Sequence, residues 1–221
     1  MYRFSKNFYP HIDSSLKKYV AKLPREVYKD PQLQKILIAS IPLVEDTFGV
    51  SLAPTYSFLR KYATGDVLFP HRDRPACEYS VTLCIDTNCD WPLFFQYPNK
   101  PDVSSFITYP GDAILYKGAE VRHWRKTLET QNSYQHQLFL HYVDINGENS
   151  DQAYDAYMDL SKGIAKPGAG GKNAKARPSG ATKTIRAYHA FADMSNKCKH
   201  HRSSETKVKN DSQYNLSYTE V

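Results

Sequence analysis

His71 and Asp73 stand one residue apart at the end of a strand-like run, Asp66 to His71. Alternate residues of a strand project to the same face, so this imidazole and this carboxylate can meet one ion. A second imidazole, His123, follows about 50 residues later, at the end of another glycine-punctuated apolar segment that begins at Tyr109. Two imidazoles and one carboxylate on one face of an octahedral ion leave the opposite face open for a cosubstrate and O2, the arrangement used at non-haem Fe(II) centres. The residue types and their spacing therefore point to an iron site made of His71, Asp73 and His123.

The surrounding sequence gives this triplet a context. Tyr62-x-x-Gly65 precedes it, Val81-Thr82-Leu83 follows, and Pro110-Gly111-Asp112 leads toward His123. In this order the pieces resemble the Fe(II)/2-oxoglutarate-dependent oxygenases, and among them the prolyl 4-hydroxylase-like group. The resemblance covers roughly residues 55 to 143. It implies that His71, Asp73 and His123 are the metal ligands and catalytic residues, and that 2-oxoglutarate and O2 are cosubstrates, with succinate and CO2 released as a C–H bond is oxidised. It also implies that Tyr62 contacts the cosubstrate. The family's usual Arg or Lys, about ten residues after the second histidine, is missing. The last strand reads Tyr134-Gln-His-Gln-Leu-Phe-Leu-His-Tyr142. A dicarboxylate buried without a cation costs several kcal/mol. Arg125, two residues beyond His123 and so on the same strand face, is the expected substitute, with Gln135 and Gln137 as neutral donors. His141 reads as a core histidine. Trp91, Trp124, Phe94 and Phe95 read as core or cavity wall, and Arg72, Arg74 and Glu78 as solvated neighbours of the ligands.

The elements that must position these groups are legible in the hydrophobic period. Residues 12 to 23 place Leu16, Tyr19, Val20 and Leu23 on one helical face behind a cap at Asp13 or Ser14. Residues 31 to 48 repeat the pattern, from Pro31 to Gly49, with Pro42 expected to kink or divide the helix. From residue 52 the period becomes that of strands, in about eight short segments: 55–62, 66–71, 78–85, 91–97, 105–109, 113–116, 121–125 and 135–143. The expected fold is mainly β (α+β): a double-stranded β-helix, the jelly-roll barrel also found in cupins, over residues 51–160, buttressed by helices within residues 1–50. A closing helix is expected over 148–162.

Charge is distributed unevenly. The net charge of +6 comes from residues 161–221, which carry 12 Lys and Arg against 4 Asp and Glu, whereas residues 1–160 carry 17 against 19. The Gly/Ala/Lys/Pro-rich stretch 162–180 reads as a flexible linker, 184–194 as a short helix and Lys197 to Arg202 as a basic cluster. Contact with nucleic acid is expected only through this tail. The four cysteines show no zinc-finger spacing or disulfide framework. No run of 18 apolar residues occurs and the N-terminal residues lack an apolar signal segment, so a cytoplasmic protein without membrane contact is expected. The reading is a hydroxylase acting on a peptidyl residue, an amino acid or a small metabolite. A nucleic-acid-demethylase-like oxygenase and an inactive jelly-roll binding module are the alternatives.

Overall fold

The computed structural model describes residues 1–4, 8–9, 12–155 and 219–220. In chain order the elements are β1 (Tyr2–Phe4), α1 (Ser14–Lys22), β2 (Glu26–Tyr28), α2 (Pro31–Ala39), α3 (Ile41–Phe48), β3 (Leu52–Ala63), β4 (Leu68–His71), β5 (Tyr79–Thr87), β6 (Leu93–Gln96), β7 (Val103–Phe106), β8 (Ala113–Tyr116), β9 (Arg122–Arg125), β10 (Tyr134–Asp144) and β11 (Thr219–Glu220). Two antiparallel sheets result. The larger has the order β11-β1-β8-β5-β10-β3-β2, and the smaller β4-β9-β6-β7. This is the expected jelly-roll, a double-stranded β-helix.

The three helices form as their end signals dictate. Asp13 caps α1 by accepting from Leu16 N at 2.9 Å. Asp30 caps α2 by accepting from Gln32 N and Leu33 N, with Pro31 in the first turn, where no backbone donor is needed. The helix expected over 31–48 is divided, as its proline implied, into two joined at Ser40, and Pro42 lies in the first turn of the second. Gly49, at φ 69°, ends α3 in the left-handed region that glycine enters without strain.

The helices cover one face of the larger sheet. Val20, Leu33, Ile36, Leu37 and Val44 pack on Leu59 of β3, Val81, Leu83 and Ile85 of β5, and Leu138, Leu140 and Tyr142 of β10. The alternate residues of the same strands face the other way, toward the smaller sheet: Tyr56 and Tyr62; Ser80, Thr82 and Cys84; Gln135, Gln137 and His141. Register pairs Gln135 with Tyr62 and His141 with Tyr56 across β10 and β3, and His141 with Ser80 across β10 and β5. The strand period of two thus separates an apolar helix-facing side from a polar interior on which the site is built.

Two expectations need correction. The eight strands expected from residue 52 are β3 to β10, but residues 1–50, expected to supply only helices, also supply β1 and β2, and β11 pairs with β1 through Tyr2↔Glu220 and Arg3↔Thr219. The closing helix is absent from the described part of 148–162. There, Ser150–Asp155 is a 3-10 segment interrupted at Ala153 and Tyr154, the latter at φ 61°. The Asp- and Asn-rich sequence before it favours turns over a continuous helix. The linker, the short helix and the basic cluster expected within 162–202 lie outside the described residues. No helix among the described residues is long and apolar enough to cross a membrane.

Asp30 connects two helices, since its Oδ2 also accepts from Tyr19 Oη of α1 at 2.7 Å. Asp30→Ala is expected to lower stability by about 1–2 kcal/mol, through loss of the cap and of this side-chain bond, as read by urea unfolding.

Candidate active site

Antiparallel pairing of β4 with β9 sets His71 directly opposite His123, and their ring centroids are 4.3 Å apart. Asp73, just past β4, is fixed through its backbone, whose N–H donates to Gly118 O at 2.9 Å. Its Oδ1 lies 3.5 Å from His71 Nε2 and 3.6 Å from His123 Nε2. One ligand atom from each of the three residues falls within 4.8 Å of the other two. Adjacent donors around an octahedral ion with bonds of about 2.1 Å sit roughly 3 Å apart, so a shift of about half an ångström brings each imidazole nitrogen to that spacing from Asp73 Oδ1.

Both imidazoles are held in the tautomer that metal binding needs. His71 Nδ1 donates to Phe69 O at 2.8 Å and His123 Nδ1 to Val121 O at 3.1 Å, which turns each Nε2 toward Asp73 Oδ1, and the proton that His71 Nε2 shares with this carboxylate is the one a metal ion would displace. Burial lowers the pKa of His123 below the ordinary histidine value against the attraction of Asp73, which keeps this ring neutral near pH 7. The hydrogen bond to Asp73 raises that of His71 against its own partial burial. Asp73 is buried, which opposes ionisation, yet the hydrogen bond from His71 and the fields of His123 and His141 hold its carboxyl below the usual range. The carboxylate stays charged and ready to bind a cation.

Several residues around Asp73 were not singled out from sequence as functional. Ser80 Oγ donates to Asp73 Oδ2 at 3.3 Å and lies 2.9 Å from His141 Nδ1. A Cβ on Gly118 would collide with Cys77 O, Asp73 Oδ2 and Ser80 Oγ, so glycine is required there for close approach rather than for backbone conformation. Tyr116 is fully buried with its Oη 3.5 Å from His123 Nε2. The sequence signal for these residues is register: Ser80 faces His141 across β5 and β10, and Gly118 lies between β8 and His123.

A second polar cluster lies farther along the interior face. Arg125 is 2% exposed. Its guanidinium donates to Trp91 O and, at 3.5 Å, to Gln137 Oε1, and stacks 4.7 Å from the Trp91 ring centroid. Gln137 Nε2 donates to Thr82 Oγ1 at 2.7 Å, and Gln135 Nε2 to Gln137 Oε1 at 2.7 Å. Tyr62 packs edge-on against Trp91 at 5.0 Å. Arg125, Gln135, Gln137 and Tyr62 are thereby brought into one neighbourhood. Burial lowers the Arg125 pKa to about 10, so it remains cationic at neutral pH. Among the described residues no carboxylate lies within ion-pair distance of Arg125, and Gln135 Oε1 is buried without a hydrogen-bond partner. A buried cation without a counter-anion is expensive, and this cluster is chemically complete only with an anion beside it.

The other singled-out residues have structural places. Arg72 Nε donates to Glu120 O at 3.0 Å, Arg74 lies over the Tyr56 ring at 4.7 Å, and Glu78 Oε2 accepts from Asp144 N at 3.2 Å. Phe94 and Trp124 stack on each other at 5.6 Å, whereas Phe95 and Trp91 are buried. Cys84 is buried and its thiol is pushed up to about 12, mainly by that burial, so it is inert as a nucleophile.

No protein-family model and no curated protein matches the chain. Solved structures do match. An oxidoreductase of the 2OG-Fe(II) oxygenase family from Burkholderia pseudomallei shares 18% identity at a TM-score of 0.50, covering 62% of this chain and 79% of its own. HygX from Streptomyces hygroscopicus with iron bound shares 12% at 0.54, covering 66% and 82%. A Pseudomonas putida prolyl-4-hydroxylase shares 12% at 0.52, covering 65% and 92%. Identities this low establish the shared double-stranded β-helix fold.

Gly118→Ala is expected to displace the Asp73 carboxylate and weaken divalent-metal binding by about 10- to 100-fold, the usual consequence of disturbing a ligand's support. Titration of Co2+ or Fe(II) under anaerobic conditions measures it, with urea unfolding to confirm that the fold survives.

Proposed function

We propose that this chain is an Fe(II)- and 2-oxoglutarate-dependent oxygenase that oxidises a C–H bond of a peptidyl residue, an amino acid or a small metabolite. The observation that carries this reading is the buried Arg125 cation, without a carboxylate partner among the described residues, on the same strand face as His123. Two residues of strand separate them, roughly 7 Å at about 3.3 Å per residue, which matches the length of a five-carbon dicarboxylate that reaches from a metal to a guanidinium. The shared fold with 2OG-Fe(II) oxygenases supports the same reading.

The residues present fit the iron. His71, Asp73 and His123 would hold it through two neutral Nε2 atoms and one carboxylate oxygen, an N2O set on one face. Bound there, Fe(II) would activate O2, which takes two electrons from the oxidative decarboxylation of 2-oxoglutarate to succinate and CO2 and two from the substrate C–H bond.

The chain's own part is binding, orientation and exclusion of water. Phe69 O and Val121 O fix the two imidazole tautomers. Arg125 offers a planar fork of donors that suits bidentate pairing with the distal carboxylate of 2-oxoglutarate, and Gln137, itself anchored on Thr82, holds that fork in place. Tyr62 and Trp91 wall the same neighbourhood and keep the ion pair dry, which strengthens it. The class of substrate is a proposal drawn from the resemblance to the prolyl 4-hydroxylase-like group.

His71→Ala, Asp73→Ala and His123→Ala are each expected to abolish Fe(II)-dependent succinate formation while the fold persists, in an assay screened against amino acids, proline-containing peptides and small metabolites. Most of the wild-type rate in His123→Ala would remove His123 from the ligand set.

Arg125→Ala is expected to weaken 2-oxoglutarate binding by about 2–5 kcal/mol, or roughly 30-fold to several-thousand-fold, and to leave metal affinity nearly intact. A 2-oxoglutarate affinity within about threefold of wild type, by calorimetry with Co2+ in place of iron, would exclude Arg125 as the anchor.

A further inference from the structure

Asp73 presents its two oxygens to different partners. Oδ1 faces the two imidazole Nε2 atoms, whereas Oδ2 faces Ser80 Oγ at 3.3 Å and the Gly118 backbone, where a Cβ would strike it. Ser80 Oγ also lies 2.9 Å from His141 Nδ1 and 3.1 Å from Cys77 O. A hydroxyl has one proton to give. Since the carboxylate and the Cys77 carbonyl only accept, that proton goes to them, and His141 Nδ1–H is the donor to Ser80 Oγ. The result is a directed chain, His141 Nδ1–H to Ser80 Oγ–H to Asp73 Oδ2, with Cys77 O as a second acceptor of the same proton, whose members belong to β10, β5 and the segment after β4. His141 and Ser80 are both buried, so water does not compete for these bonds.

We propose that Ser80, oriented by His141, is a positioning residue that holds Asp73 monodentate by engaging Oδ2, and so keeps a third coordination position of the metal open. The proposal rests on the reading of His71, Asp73 and His123 as the metal ligands. An octahedral ion with three protein ligands has three positions left, of which a bidentate cosubstrate takes two and O2 the third. A carboxylate free to chelate through both oxygens removes one of them. Carboxylates bind metals in either mode, and the difference lies in what else claims the second oxygen.

The neighbouring donors admit one other use. Asp73, Cys77 and His141 each place a ligand atom within 4.8 Å of the other two, which is a candidate thiolate-containing metal site. The Ser80 hydroxyl already joins Asp73 and His141, and Cys77 Sγ lies 3.1 Å from Tyr56 Oη, so these groups are satisfied by hydrogen bonds rather than turned toward a vacant centre. The geometry favours a clamp on Asp73 over a second metal site.

The test counts metal-bound waters in the full-length protein loaded with Mn2+ alone, by water-proton relaxation. Wild type is expected to hold three exchangeable waters, and Ser80→Ala to lose one, so that relaxation per bound Mn2+ falls by roughly one third while Mn2+ affinity is retained or rises. Ser80→Thr, which keeps the hydroxyl, is expected to restore the wild-type count. His141→Asn, whose side-chain amide can donate from the place of Nδ1, is expected to keep it, and His141→Phe to lower it. These His141 variants decide the matter if Ser80→Ala fails to fold. An unchanged water count in both Ser80→Ala and His141→Phe overturns the clamp alone. A near-ultraviolet thiolate charge-transfer band on Co2+ loading of wild type, lost in Cys77→Ser, also overturns it, because it would show Cys77 ligating metal. Failure of wild type to bind Mn2+, or binding unaffected by His71→Ala, overturns the ligand assignment itself and the clamp with it.

Discussion

The larger sheet must be apolar toward its helices and polar toward the barrel interior, and every functional group of the site depends on how β3, β5 and β10 meet that demand. On β10, Leu138, Leu140 and Tyr142 are buried against the helices while Gln135, Gln137 and His141 face inward. Polar groups so deeply buried are costly unless they are paired, and of these only Gln135 Oε1 lacks a partner among the described residues. Their partners come from adjacent strands at the same level: Thr82 for Gln137, Ser80 for His141, and Arg125 for Gln137 from the smaller sheet. A slip of one residue in β10 would exchange the two faces, driving glutamines into the helix interface and leucines into the cavity.

Two charge problems remain inside that frame, and they have complementary solutions. Asp73 is a buried carboxylate stabilised by imidazoles, of which His123 is kept neutral by its own burial, so its negative charge is compensated fully only by a cation. Arg125 is a buried guanidinium whose described partners are a backbone carbonyl and a glutamine oxygen, so its positive charge calls for an anion. A divalent metal at the first place and a dicarboxylate bridging from that metal to the second would satisfy both at once. This mutual need is the physical basis for reading the two clusters as one site.

The ligand set was legible because its spacing is short. His71 ends β4 and Asp73 stands two residues on, just past it, and His123 and Arg125 repeat that separation on the strand that pairs with β4. The helices were legible from their end signals, including the break near Pro42. The three-residue strands β1 and β2 were not, since so short a run carries too little period to detect and is held in the sheet by neighbours far along the chain. The described start of the expected closing helix, Ser150–Asp155, is an interrupted 3-10 segment because the adjoining Asn149, Ser150 and Asp151 favour local turns. Ser80 and Gly118 are not legible in the sequence because their contacts arise only from the register and the loop geometry, and neither residue type announces chemistry by itself.

The central claim is that His71, Asp73, His123 and Arg125 bind Fe(II) and 2-oxoglutarate as one chelate. Anaerobic addition of 2-oxoglutarate to the Fe(II)-loaded protein tests it most directly, because a weak visible metal-to-ligand charge-transfer band appears only when the 2-oxo and adjacent carboxylate oxygens both ligate iron. The account predicts such a band, saturating at one 2-oxoglutarate per chain. Iron bound by His71, Asp73 and His123 with no band at saturating 2-oxoglutarate would contradict it.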